Sequence, residues 1–244
     1  LLAGALPGWF GPALIVVGAS SGILGVLYAL MQHDLKRLLA YHSIENIGII
    51  ALGLGLGWTG LANGLPVMAA LGFAGGLLHV LNHAVFKSLL FLCAGNAGRA
   101  AGTRELDGMG GLLRRMPWTG ASFLTGAAAI AGLPPLNGFV SEFLIFLAAF
   151  SALQSPAPAA AAGMIAVAAL ALIGGLACAC FAKASGVVFL GTPRHAAERD
   201  VREPSAGMLW TPVALAAACV GLGLAAPALL ALAGPATTQL AGRP

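Results

Sequence analysis

From Phe10 to Gln32 the chain runs without a single charged side chain, and five further apolar stretches follow it. About 20 helical residues cross a hydrocarbon core of ~30 Å. The stretches read as helices from about Phe10 to Gln32, Leu38 to Trp58, Pro66 to Asn96, Pro158 to Leu190 and Met208 to Ala233, with a further apolar region from Pro117 to Leu153. Hydrophobic residues make up 59% of the 244 and charged residues 8%, against about a quarter charged in a soluble domain. The mean hydropathy is +0.93. So little charge cannot solvate a water-soluble surface, and the fold class is therefore an all-α integral membrane protein with lipid as its solvent.

The region from Pro117 to Leu153 is interrupted at Pro134-Pro135-Leu136-Asn137-Gly138. Two adjacent prolines remove two backbone donors and restrict the residue before them, so a helix must break there. Charge placement decides whether this region crosses once or twice. Lys36 and Arg37 lie in one connection, Arg99, Arg104, Arg114 and Arg115 in a second, and Arg194, Arg199 and Arg202 in a third. The connections 59–65 and 151–157 carry no charge. Only a single broken crossing puts all three basic connections on one side, as the positive-inside rule asks. The sequence thus predicts about six crossings, one of them discontinuous, with both termini outside and the basic loops in the cytoplasm. Non-helical backbone at membrane depth is tolerated only inside protein or beside a wet cavity, and such breaks are typical of transporter ion sites.

The net charge of +4 forms no aromatic-interleaved basic face of the kind nucleic acid needs, so nucleic acid is excluded as a partner and the lipid bilayer is the expected one. Cys93, Cys178, Cys180 and Cys219 all fall in apolar runs, and the Cys178-x-Cys180 spacing is not that of a zinc or iron–sulfur site. No cofactor or metal is expected in this chain. Gly53-Leu-Gly55 lies inside a membrane helix without Rossmann context, and no catalytic triad or phosphate loop is present. Gly53, Gly55, Gly57, Gly72, Gly75 and Gly76 read as sites of close helix packing.

Ionisable residues inside membrane helices are costly and mark function. His79, His83 and Lys87 are spaced i, i+4, i+8 and drift only about 80° around their helix, so they share a face. Glu142 stands one turn into the helix that follows the break at Pro134, Pro135, Asn137 and Gly138. On the second apolar helix, Tyr41, His42, Glu45 and Asn46 follow Lys36-Arg37, and His42 and Glu45 share a face. Glu45 is the deeper of the two, while His42 reads equally well as buried or as solvated at the interface. Lys183 serves a relay or snorkels toward the basic connection after it, and the sequence leaves both readings open. Glu45, His79, His83, Lys87, Glu142 and Lys183 are the expected proton-pathway residues. Asp34, Glu105, Asp107, Glu198, Asp200 and Glu203 read as loop charges.

Three segments resemble the antiporter-like membrane subunits shared by respiratory complex I, cation/proton antiporters and membrane-bound hydrogenases. They are Asp34-Leu-Lys-Arg-Leu-Leu-Ala-Tyr41, Leu81-Asn-His-Ala-Val-Phe-Lys-Ser-Leu-Leu-Phe91 and Gly132-Leu-Pro-Pro-Leu-Asn-Gly-Phe-Val-Ser-Glu-Phe143. Within that superfamily, His42-Ser-Ile-Glu-Asn-Ile-Gly48 and Ala182-Lys-Ala-Ser-Gly-Val-Val-Phe-Leu-Gly-Thr-Pro193 are similar to the hydrogenase 4 component B and formate hydrogenlyase subunit 3 branch. By that resemblance His79, His83 and Lys87 match the family's central histidine–lysine helix, and Glu142 matches the ionisable group at its late broken helix. The chain opens Leu1-Leu2-Ala3-Gly4 without an initiator methionine. It is expected to be a single transmembrane domain, 1–244, forming the C-terminal half of the antiporter-like fold, with the N-terminal half and its glutamate–lysine pair missing. The resemblance implies a proton-translocating subunit of a hydrogenase 4/formate hydrogenlyase-type oxidoreductase, with other membrane subunits and a peripheral hydrogenase or oxidoreductase arm as partners. Nickel–iron and iron–sulfur centres would lie in those partners. The competing expectations are a cation/proton antiporter subunit, an NADH-quinone oxidoreductase membrane subunit, or a structural anchor for a soluble oxidoreductase.

Overall fold

The computed structural model describes residues 7–155, 157–192, 201–228 and 231. Seven helices follow in order: α1 (Phe10–Leu30), α2 (Leu35–Ala62), α3 (Pro66–Ala101), α4 (Pro117–Ile130), α5 (Asn137–Ala152), α6 (Ala157–Val188) and α7 (Ala206–Leu224). Two short 3₁₀ turns, Leu106–Gly108 and Leu112–Arg114, link α3 to α4. Among the described residues there is no strand beyond an isolated bridge between Asp34 and Glu105.

Helices α1, α2, α3, α6 and α7 are each long and apolar enough to cross a membrane. Helices α4 and α5, of 14 and 16 residues, are not. They nevertheless form one traverse, because their partners on α3 run in strict antiparallel order. Ile145 packs on Gly75, Ser141 bonds His79, Asn137 bonds Asn82, and Gly126 packs on Leu89 and Leu90. A chain that turned back at the break would reverse that order. The protein is thus an all-α integral membrane protein with a discontinuous helix broken at Pro134-Pro135, which is a cis peptide.

The helix ends show why these residues fold as they do. Asp34 N-caps α2 by accepting from the Arg37 amide at 2.9 Å, a contact that satisfies one of the orphan donors of a first turn. This cap starts α2 three residues before Leu38. Pro66 opens α3 and Gly102, at φ +70°, closes it; only glycine takes that conformation freely. The α4 amino terminus is capped from far along the chain: Glu203 accepts from the Trp118 amide at 2.7 Å, the Thr119 amide at 3.1 Å and the Thr119 hydroxyl at 2.6 Å. Glu203 therefore ties two elements together, where the sequence suggested a loop charge. Arg194 and Arg199 lie outside the described residues, as does the end of the last helix near Ala233. Helix α7 runs from the level of Asn96 to that of the break, where Gly223 packs against the Pro135 carbonyl.

Glycines set the spacing between α1, α2 and α3. A Cβ on Gly48 would meet the Gly22 amide nitrogen at 2.5 Å and the Gly18 carbonyl at 2.6 Å. One on Gly72 would meet the Gly57 nitrogen at 2.5 Å, and one on Gly53 the Gly76 backbone at 2.9 Å. Helices can approach this closely only where side chains are absent, which is the usual packing device in lipid. Apolar packing divides into two clusters. One holds Leu35, Leu38, Phe86, Leu90, Phe123 and Phe181 toward the basic end; the other holds Ile15, Leu52, Leu56, Ile145, Ala166 and Ile173 toward the neutral end. A polar layer lies between them.

Candidate functional site

The polar layer is built where α2, α3 and α5 meet, halfway along the 36-residue α3. Helix α2 supplies His42, Glu45 and Asn46, which are 0%, 1% and 0% exposed. The His42 Nδ1 hydrogen-bonds the Glu45 carboxylate, and the His42 ring lies on Phe181 of α6 with centroids 4.6 Å apart. The open question about His42 is therefore answered: it is buried. Asn46 donates to the His42 carbonyl at 2.7 Å, which turns its Oδ1 outward to His79 Nε2 of α3 at 3.0 Å. His79 Nδ1 meets the Ser141 hydroxyl of α5 at 2.9 Å. A continuous run of polar contacts thus crosses three helices.

The hydrogens in this run follow from donor and acceptor capacity. An amide oxygen only accepts, so Nε2 of His79 carries a proton. Ser141 Oγ already accepts from Asn82 Nδ2 at 3.0 Å, and its single proton has two acceptors within reach, the Gly138 carbonyl at 3.0 Å and His79 Nδ1. With neutral His79, the hydroxyl donates to Nδ1. With protonated His79, Nδ1 donates to the hydroxyl, which then turns to Gly138. The Ser141 rotor thereby links the charge on His79 to the first turn of α5.

That first turn is fixed by the break itself. Asn82 donates to the Asn137 carbonyl at 2.7 Å, and Asn137 Nδ2 returns to Asn82 Oδ1 at 3.3 Å. Gly138 lies against the Ala129 carbonyl, where no side chain would fit. Gly132, at φ +65°, lies against Glu142: a Cβ there would meet Glu142 Oε2 at 2.6 Å. The carboxyl of Glu142 is thus folded back over the break, half-buried. Pro134 and Pro135 sit between these two glycines and keep the chain from helical pairing.

Lys87, 6% exposed, lies two turns beyond His79. Its Nζ has no hydrogen-bond partner among the described residues and stands 5.8 Å from the Phe91 ring centroid. His83 is half-buried at the edge of the α3 face, and the Phe86 ring packs edge-on to both His83 and His79. Lys183 stands apart from this group. Its Nζ donates to the Leu30 carbonyl at 2.6 Å and the Gln32 carbonyl at 3.2 Å, holding the carboxyl end of α1. Ser141 and Asn82 are not among the residues that stand out in the sequence, and Asn46 is named there without a role. The spacing Asn137/Ser141, i and i+4 on the face beside Glu142, was the available signal. Among the described residues no group of three or more His, Cys, Asp or Glu is placed to hold a metal ion.

Apolar crossings wrapped around a buried histidine, glutamate and lysine, with a broken helix at their level, define an antiporter-type membrane subunit. The chain belongs to the NADH:quinone oxidoreductase/Mrp antiporter transmembrane family, whose model matches residues 2–169. Within it, the chain is similar to formate hydrogenlyase subunit 3 of Escherichia coli (strain K12), 46% identical over 231 residues, covering 94% of this chain and 38% of that one. It is likewise similar to hydrogenase-4 component B of the same organism, 45% identical over 222 residues, covering 91% of this chain and 33% of that one. The chain therefore spans about a third of the length of these curated relatives. The solved Mrp complex from Dietzia sp. DQ12-45-1b contains a chain with the same fold, with a TM-score of 0.79 and 24% identity over 96% of this chain and 48% of that one.

Proposed function

We propose that this chain carries a proton-conducting segment of the membrane subunit of a hydrogenase 4/formate hydrogenlyase-type oxidoreductase. The observation that carries the reading is the buried run from Glu45 through His42, Asn46, His79 and Ser141 to the helix break, with Lys87 on the helix of His79 and Glu142 beside Ser141. Protons move among Glu45, His79, His83, Lys87 and Glu142. Lys183 serves at the basic end of the path, where its ammonium already faces two carbonyls. The unpaired buried nitrogens of His42, His83 and Lys87 are the positions at which a proton or a bridging water would be received. The chain constitutes the C-terminal half of the antiporter-like fold. Electron transfer in partner subunits, which would hold the nickel–iron and iron–sulfur centres, drives the movement. Its partners are further membrane subunits and a peripheral oxidoreductase arm, and its basic connections face the cytoplasm across the bacterial inner membrane.

The test replaces Lys87 or Glu142 with alanine in the full-length subunit within its complex. Each variant is expected to lose at least about tenfold in the rate of proton translocation, which corresponds to about 1.4 kcal/mol on the conducting step. Undiminished translocation in both variants would falsify the assignment.

A further inference from the structure

Away from the polar layer, a groove of about 450 Å³ opens at the basic end of the bundle. Lys36, Arg99 and Arg104 line it together with Phe91, Leu92 and Gly95. Lys36 belongs to the first turn of α2 and Arg99 to the last turn of α3. With 36 residues, α3 is about 54 Å long at 1.5 Å per residue. That exceeds a hydrocarbon core of ~30 Å, so its ends stand among lipid headgroups. The cations therefore lie at headgroup depth and the apolar wall lies below them.

The nearby acid does not neutralise this rim. Asp34 accepts from the Arg37 amide and pairs with Arg104 Nε at 3.5 Å, and Glu105 follows Arg104 beside it, so the three cations Lys36, Arg99 and Arg104 still outnumber these two acids. A port for protons is the wrong reading, because a cluster of cations repels a cationic species. Leu92 is 41% exposed, so the apolar wall opens outward toward hydrocarbon. Gly95 leaves the floor bare: a Cβ built there meets nothing within 4 Å. Cations at headgroup depth above an outward-opening apolar trough match an anionic headgroup with an attached acyl chain. Basic pockets between transmembrane helices take such lipids.

We propose that this groove binds one anionic phospholipid, its phosphate between Lys36, Arg99 and Arg104 and an acyl chain along Phe91 and Leu92 over Gly95. The full-length subunit is placed in nanodiscs of mixed phosphatidylglycerol and phosphatidylcholine, extracted, and its retained lipid counted by native mass spectrometry. The expected result is one phosphatidylglycerol per chain, with occupancy falling about fivefold for each cation removed in Lys36→Gln and Arg99→Gln. Gly95→Leu should empty the groove without lowering the melting temperature, and Arg37→Gln, on a neighbouring face, should change nothing. Equal retention of phosphatidylcholine, displacement by inorganic phosphate, unchanged retention in Gly95→Leu, or crosslinking of Gly95→Cys to another polypeptide of the complex would each overturn the proposal.

Discussion

At the scale of single residues, the site depends on side chains that have little meaning in the sequence by themselves. Ser141 is one of two serines in an apolar helix, yet its hydroxyl serves three groups, accepting from Asn82 and turning between His79 and the Gly138 carbonyl. Replacing it with alanine leaves His79 Nδ1 without a partner and removes one acceptor from Asn82. A buried polar group stripped of its partner costs about 1–3 kcal/mol, so Ser141→Ala should lower the melting temperature measured in detergent. It should also decouple His79 from the break, giving a larger loss of proton translocation than of stability. Unchanged melting would show that these contacts do not hold the layer together. Gly132 acts by what it lacks. Gly132→Ala would both displace the Glu142 carboxyl and place a side chain at φ +65°, which costs about 1–2 kcal/mol. The trio His79, His83 and Lys87 was readable from its spacing, because ionisable groups within an apolar run stand out. His42 was not: its helix begins close to a basic connection, and depth in the bundle depends on packing against Phe181 of α6, a residue far along the chain.

At the scale of elements, the break was legible because adjacent prolines forbid helical pairing locally, whatever surrounds them. What closes the break was not legible, since Asn82, Ala129 and Gly223 reach it from α3, α4 and α7. Helix ends divide in the same way. Asp34 caps the helix that follows it directly, whereas Glu203 caps α4 and Lys183 holds α1, each from a distant part of the sequence. These distant caps give a clean test. Lys183→Met removes the ammonium that serves the Leu30 and Gln32 carbonyls while keeping the length of the side chain. Hydrogen bonds to charged groups contribute about 1.5–3 kcal/mol, so the variant should melt several degrees lower. If melting is unaffected while proton translocation falls, Lys183 acts in the path and its capping contacts carry no weight in stability.

At the scale of the whole molecule, the antiparallel march of α4 and α5 along α3 fixes which connections share a side. Gly163 of α6 packs against Ala149 of α5 near the neutral end, while Lys183 of the same helix reaches the end of α1 at the basic end. The connection before α6 and the connection before α4 must then lie on opposite sides of the bilayer. Single cysteines at Ser155 and at Thr103, in an otherwise cysteine-free full-length protein, report this directly. In sealed vesicles an impermeant maleimide should label one of them and reach the other only after the membrane is opened. The native Cys93, Cys178, Cys180 and Cys219 are free thiols among the described residues and are replaced by alanine for this purpose, with folding of that background checked by its melting temperature. Labelling of both positions from the same side would mean that α4 and α5 turn back at Pro134-Pro135. The order of their partners on α3, and with it the common level of Glu45, His79 and Glu142, could not then be maintained in the membrane.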